Sequence, residues 1–295
     1  LETVRMSPAP PLGISTSTEV SKMDSKDIQQ ELFGFIGTGN MGGALARALR
    51  KQVPGSRILL SNRTSEKSRL LAGELNAVQS NNDAVARSAR YIFLGVKPQM
   101  TETLLSEIAP VLAGRQDRFL LVTMAAGLTI AHIRRMAGGD YPVIRIMPNT
   151  PVSVGEGMIL YSCSPDVEEK ETQIFLESCA GAGRFCPLPE QLMDAGSAVC
   201  GCGPAFADLF LEALADGGVA CGLPRASALE FAAQMLSGAA RLALESGQHP
   251  GLLKDAVCSP GGTTIQGVRK LEEAGFRGAV MNAVIAAYEK TLELK

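Results

Sequence analysis

Between residues 32 and 147 the chain repeats one pattern: a short, uninterrupted apolar run, then a stretch with helical spacing. The runs are LFGFI at 32–36, ILLSN at 58–62, YIFLGV at 91–96, FLLVTMA at 119–125 and VIRIM at 143–147. A strand with one wet face would alternate apolar and polar residues. These runs do not alternate, as expected for strands covered on both faces. The intervening segments begin near Thr64, Asn82, Pro98 and Thr129, residue types that cap or open helices. Strand-helix alternation of this kind leaves few topologies, and we read an α/β fold built on a doubly wound parallel sheet.

Past about Pro189 the strand pattern stops. PEQLMDAGSAV, PAFADLFLEALADGGVA, PRASALEFAAQMLSGAARLALES, PGLLKDAV, TIQGVRKLEEA and the segment from Phe276 onward all read as helices, opened by Pro and closed by Gly. Their Ala, Gly, Ser and Cys side chains are too small to fill a wide core, so neighbouring backbones must approach closely. Such helices suit a bundle shared between two subunits, and a tight single-chain bundle is the alternative. The expected division is therefore a Pro-, Ser- and Thr-rich flexible tail over 1–30, an α/β domain over 31–188 and a helical domain over 189–295.

Composition removes several classes of function. With 28 basic and 30 acidic residues the chain lacks the positive field of a nucleic-acid binder. Its longest uncharged runs, such as Phe119 to Ala131, are shorter than the ~20 apolar residues of a membrane-spanning helix. Seven cysteines form no CxxC pair and their number is odd, which points to reduced thiols in a cytoplasmic protein. Two distant histidines, His132 and His249, argue against a His-ligated metal, and no metal is expected.

The first strand run ends in Gly37-Thr38-Gly39-Asn40-Met41-Gly42, and a helix follows. Glycine permits the tight turn and close backbone approach, so the free N–H groups of the helix start can face a pyrophosphate. A glycine-rich turn without a ligand is the alternative. The second strand run ends in Ser61-Asn62-Arg63-Thr64, with no Asp or Glu to bind a ribose 2′-hydroxyl. Arg63 offers a fork of donors suited to a 2′-phosphate, with Asn62 as a neutral partner, unless it is a solvated surface residue. The expectation is NADPH as preferred cofactor and NADH as the lesser one. Val96-Lys97-Pro98 and Ala125-Ala126-Gly127 end later strand runs, and their small or turn-forming residues open the same crevice to a ribose or a flat ring.

Near the carboxyl end stands Asp255-Ala256-Val257-Cys258-Ser259-Pro260-Gly261-Gly262-Thr263-Thr264-Ile265. Ser-Pro-Gly-Gly makes a sharp turn, after which Thr263 and Thr264 open a helix whose first N–H groups are unpaired. That suits a carboxylate, and an ordinary helix cap is the alternative.

FIGTGNMGGALARAL, VKPQ, TMAAGLTI, RIMPNTP and above all DAVCSPGGTTI, in this order and spacing, resemble the pyrroline-5-carboxylate reductase family from about Leu32 to the C terminus. The resemblance implies a Rossmann domain followed by an all-helical dimerisation domain, with homodimers commonly assembled into a larger ring such as a decamer. It implies reduction of L-1-pyrroline-5-carboxylate to L-proline with NAD(P)H, the last step of proline biosynthesis. By matching position, Thr264 would hydrogen-bond the ring nitrogen while the backbone of Ser259, Gly261, Gly262 and Thr263 holds the carboxylate. Asn82, Val96, Lys97, Ala125 and Gly127 would line the cofactor site.

Two rivals remain at this level. A 3-hydroxyacid dehydrogenase of the 6-phosphogluconate type needs a lysine base on the first helix of its second domain, and residues 194–206 contain none. A nonenzymatic NADPH-binding regulator or scaffold would leave the Ser-Pro-Gly-Gly-Thr-Thr turn without a substrate.

Overall fold

The computed structural model describes residues 25–293, so most of the expected tail lies outside the described residues. The last part of that tail is not coil: Ser25–Gln30 forms a short helix, α1, whose Ile28 is buried.

The strands are β1 (Phe33–Ile36), β2 (Ile58–Ser61), β3 (Val78–Gln79), β4 (Tyr91–Leu94), β5 (Leu120–Thr123), β6 (Val143–Met147), β7 (Gly157–Cys163) and β8 (Gly183–Pro187). The helices of this part are α2 (Asn40–Arg50), α3 (Ser65–Leu75), α4 (Asn82–Ser88), α5 (Pro98–Ala113), α6 (Ile130–Ala137), α7 (Glu169–Ser178) and α8 (Met193–Cys200). They make one eight-stranded sheet in the order β3-β2-β1-β4-β5-β6-β7-β8. The chain winds outward from β1 in one direction to β3 and then restarts at β4. The β1/β4 boundary is therefore the topological switch point, where open α/β sheets bind ligands.

β3, β7 and β8 are absent from the sequence-based expectation. β3 has two residues and an exposed pattern, too little to register as an apolar run. β7 pairs antiparallel with β6 and parallel with β8, so these last two strands run opposite to the other six. Residues 148–156 between β6 and β7 make only a turn and a short 3-10 helix, Thr150–Val154, and a parallel return would need a crossover of a dozen residues or more.

Side chains alternate across β1 and β4 into two cores. Phe33 stacks on Tyr91 at 5.1 Å and Phe35 on Phe93 at 4.3 Å between ring centroids, each a directly opposed pair. They face α2, α3 and α7 in one core, while Ile36, Ile92 and Leu94 face α4, α5 and α6 in the other. Offset stacks of this kind add about 0.5–1.5 kcal/mol beyond their burial. Gly34 lies between the two phenylalanines because α4 presses on that face: a Cβ there would come within 2.4 Å of Val85.

One buried charge ties α7 to the sheet. The Glu171 carboxylate accepts hydrogen bonds from Arg118 Nε at 2.6 Å and Arg90 Nη2 at 2.7 Å, with the Glu168 N–H at 3.0 Å. Burial pushes its pKa up, but the hydrogen bonds from Arg118 and Glu168 and the charges of Arg118 and Arg90 outweigh that and hold it below the ordinary glutamate range. A depressed folded pKa contributes stability that is present above the unfolded value of about 4.3 and is lost as pH falls through the folded one. Glu171→Gln should cost about 3 kcal/mol at neutral pH, because two arginines lose their counter-charge. Melting curves at pH 7 and near pH 3 check this: the gap between wild type and variant should narrow in acid.

The remaining helices are α9 (Gly203–Ala220), α10 (Arg225–Ser246), α11 (Pro250–Ala256), α12 (Thr263–Glu273) and α13 (Phe276–Glu293). The expected helices fall at these positions. Ala205–Ala283 forms one compact unit, and residues 25–204 with 284–293 form the other. The helical unit buries little: Leu209, Phe231, Leu244 and Met281 are all exposed. A cavity of about 630 Å³ within it is walled by Phe206, Leu209, Phe210, Leu214, Phe276 and Val280, among others.

Candidate active site

The crevice at the switch point begins with three glycines in mutual contact. Gly37 takes φ +99°, in the left-handed region, and a Cβ on it would lie 2.5 Å from the Gly95 carbonyl oxygen. A Cβ on Gly42 or Gly95 would lie 2.1 or 2.2 Å from the Gly37 carbonyl oxygen. Only hydrogen fits at these positions, so the first strand turns directly into α2 while β4 closes from the side. Gly39, by contrast, faces open space and caps α2 without any side-chain hydrogen bond. The unpaired N–H groups of the first turn are thereby left to an anion. Thr38 Oγ1 is buried here with no hydrogen-bond partner, an orphan that a bound phosphate oxygen would satisfy.

Next to this turn opens a cavity of about 490 Å³, within the range of nucleotide-sized pockets. Of the residues expected to hold cofactor, it brings together Gly37, Gly39, Asn62, Arg63, Asn82, Val96 and Lys97. Asn62 braces the loop: its Oδ1 accepts the Thr38 N–H at 3.1 Å and its Nδ2 donates to the Thr64 carbonyl at 3.2 Å. Ser61 Oγ donates to Asn82 Oδ1 at 2.6 Å, and Asn82 Nδ2 reaches Glu107 Oε1 at 3.4 Å. Arg63 is exposed at the cavity rim.

The other expected cofactor residues do not line this cavity. Met41 packs its side chain against the core beneath α2, leaving its backbone as the only part that could serve a ligand, and Asn40 is exposed at the helix start. Pro98 is the first residue of α5, with Lys97 as its cap. Ala125 is buried, Ala126 rests against Met147, Leu160 and Met193, and Gly127 takes φ +76°, so these three form a separate turn at the end of β5.

Lining residues that escaped the sequence reading include Lys67, Met100, Thr103 and Glu107. Lys67 lies in the first turn of α3, whereas Arg63 precedes the extended cap residue Thr64, so no helical spacing links the two cations in the sequence. Thr103 and Glu107 are four apart on α5. Only knowing that this helix flanks the crevice would have singled out that face.

The Ser-Pro-Gly-Gly-Thr-Thr segment belongs to the helical unit. The Gly262 N–H donates to the Ser259 carbonyl at 3.0 Å, closing a tight turn with Gly261 at φ +71°. A Cβ on Gly262 would lie 2.3 Å from Ser259 Oγ. α12 then starts at Thr263 with no side-chain cap, and Ser259, Thr263 and Thr264 are exposed. Backbone donors, a helix dipole and three hydroxyls therefore converge on open space, which suits a small carboxylate.

Both histidines are engaged in helix caps. His132 Nδ1 accepts the Thr129 N–H in a reciprocal cap of α6, and His249 Nδ1 accepts the Gly251 N–H at the head of α11. Among the described residues no three His, Cys, Asp or Glu side chains converge as a metal site.

Comparison with known proteins agrees with both halves. Residues 190–294 match the family model "Pyrroline-5-carboxylate reductase dimerisation", and residues 32–127 match "NADP oxidoreductase coenzyme F420-dependent". The chain is 40% identical over 263 residues to the pyrroline-5-carboxylate reductase of Pisum sativum, covering 88% of this chain and 95% of that protein. It is 40% identical over 269 residues to the enzyme of Escherichia coli K12, covering 90% and 98%. Among solved structures, the Plasmodium falciparum pyrroline carboxylate reductase with NADP bound superposes with a TM-score of 0.80 at 31% identity, over 90% of this chain and 98% of that one. With a glycine cradle at the sheet's switch point, an open helix start on the Ser-Pro-Gly-Gly turn and similarity along nearly the whole length of these enzymes, the chain belongs to the pyrroline-5-carboxylate reductase family.

Proposed function

We infer that this protein reduces L-1-pyrroline-5-carboxylate to L-proline with NAD(P)H, the last step of proline biosynthesis. The observation that carries the reading is the uncapped start of α12 behind the Ser259–Gly262 turn, a carboxylate-shaped site in a chain that also carries a dinucleotide cradle.

Bound NAD(P)H supplies the hydride. Gly37, Thr38 and Gly39, with the backbone of Asn40 and Met41, hold the pyrophosphate. Asn62, Arg63 and Asn82 take the adenosine end, and Val96, Lys97, Pro98 and the turn Ala125-Ala126-Gly127 border the reactive half. Ser259, Gly261, Gly262 and Thr263 hold the substrate carboxylate through backbone donors. Thr264 orients the ring nitrogen.

The chemistry asks little acid-base work of the chain. Once its nitrogen is protonated, the cyclic imine accepts hydride at carbon, the C=N π pair moves onto nitrogen, and the product is a neutral secondary amine. No residue has to remove a proton, in keeping with two histidines held in helix caps. The chain's contribution is to place the two reactants and exclude water.

NADPH is the preferred cofactor on this reading, supported by Arg63 and Lys67 at the cavity rim. The protein acts as a homo-oligomer built on dimers, supported by the uncovered apolar helices of the second unit and the dimerisation match. A larger ring such as a decamer would need a second, distinct contact between dimers, because a two-fold interface closes on itself. Seven free cysteines support a reducing cytoplasm.

One stretch, Glu190–Ala220, is long and apolar enough by length and composition to cross a membrane, which the count of uncharged runs missed. It is broken into α8 and α9 and carries Asp194, whose carboxylate pairs with a buried arginine, so we read it as part of the soluble enzyme. Net charge of -2 supports no nucleic-acid partner.

Mixing the full-length protein with pyrroline-5-carboxylate and NADPH or NADH tests the reading. Substrate-dependent loss of the reduced cofactor, faster with NADPH, is expected; no loss with either cofactor would overturn it.

A further inference from the structure

Arg145 sits in the middle of β6, flanked by Ile144 and Ile146, and is only 1% exposed. An apolar residue would fill that place at lower cost, since taking a guanidinium out of water is repaid only by well-formed partners. Its Nη2 donates to Asp194 Oδ1 on α8 at 2.8 Å, and its Nη1 reaches Glu190 Oε1 at 3.4 Å. Its Nε is buried without a partner, so the arrangement is not the most stable one available to this site.

What a charged fork gives that apolar packing cannot is direction. The same Glu190 oxygen also accepts the Ile130 N–H at 2.6 Å, at the first residue of α6 and three residues after Gly127. Alongside, Met193 of α8 is fully buried against Met147 and Leu160, and Ala126 rests on that cluster. β6, the start of α6 and α8 are thus joined through one oxygen and one guanidinium. The turn that leads into α6, Ala125-Ala126-Gly127, borders the reactive half of the cofactor in the proposed enzyme.

We propose that Glu190 and Arg145 are positioning residues for hydride transfer: they set the height and angle of the 125–127 turn through the Ile130 N–H. This rests on the reductase reading. Neither residue lines the cofactor cavity. Removing the Glu190 side chain leaves Arg145 with Asp194 and the Ile130 N–H without its acceptor, so the start of α6, and the turn that leads into it, loses its anchor. A displacement of about 1 Å in such a step costs up to ~100-fold in rate.

The test uses full-length enzyme. In Glu190→Ala, kcat with NADPH should fall about 10-fold, while the NADPH dissociation constant changes less than about 3-fold, and Glu190→Gln, which keeps one acceptor oxygen, should recover most of the rate. That constant is read from the cofactor's own fluorescence, since the chain has no tryptophan. The primary isotope effect with NADPH deuterated at the transferred position should rise, because the chemical step becomes rate-limiting. Arg145→Lys, which keeps the charge and loses the fork, should show the same pattern. If it does not fold, Glu190→Ala decides alone, since the Glu190 side chain is 31% exposed. Unchanged kcat and isotope effect would overturn the proposal. So would a fall in kcat that only follows a lower melting temperature with the isotope effect unmoved, which marks a structural role. An inactive wild type would instead overturn the reductase reading, and that measurement comes first.

Discussion

Thr264→Ala is expected to lower kcat/KM for pyrroline-5-carboxylate about 10- to 100-fold, the scale of removing one hydrogen bond from a water-excluded site. Thr264 is the second residue of α12, exposed, in a first turn that has no side-chain cap. Nothing in the local fold depends on its hydroxyl, and alanine is the better helix former, so the melting temperature should hold. The effect should fall on kcat as well as KM if, as proposed, the hydroxyl orients the nitrogen whose charge changes as hydride arrives. Thr264→Ser keeps the hydroxyl and should recover most of the activity. Wild-type kinetics in the alanine variant would remove Thr264 from the mechanism.

Arg63→Ala should raise the KM for NADPH about 10- to 100-fold and leave that for NADH nearly unchanged. A charge-assisted hydrogen bond to a 2′-phosphate is worth about 1.5–3 kcal/mol, and NADH carries no phosphate at that position. Lys67, lining the same cavity, keeps part of the attraction. The double variant should therefore show weaker selectivity than Arg63→Ala alone. The one acid in the cavity, Glu107, is held by Asn82 and stands on α5 rather than at the end of β2, where a carboxylate would select NADH. Initial rates over a range of each cofactor check this, and an unchanged NADPH/NADH ratio in Arg63→Ala would end the assignment.

The parts of the fold that were legible are those whose signal is local. β1, β2, β4, β5 and β6 are buried on both faces and so show as continuous apolar runs. The starts of α3, α4, α5 and α6 carry capping or opening residues at Thr64, Asn81-Asn82, Pro98 and Thr129. β3, β7 and β8 were not legible, because their residues are largely exposed or partly buried and their pairing is decided by the sheet edge they join. The same holds within the site. The Gly37–Gly42 turn was visible because only glycine satisfies its geometry. Lys67 and Glu107 look like ordinary helix-surface charges until α3 and α5 are seen to flank one crevice. Arg145, Glu190 and Asp194 include two residues far from the third in the chain, and no spacing rule connects β6 to α8.

By itself the sequence determined the order of strands and helices, the glycine turn and the Ser-Pro-Gly-Gly-Thr-Thr helix start, since periodicity, capping and left-handed backbone are properties of neighbouring residues. The tertiary structure alone decided which strands pair and in which direction, which faces of α3 and α5 line the cofactor cavity, and that a buried arginine joins β6 to Glu190 and to α8. Those depend on interactions between residues distant in the chain, whose free energy appears only when the sheet has closed around them.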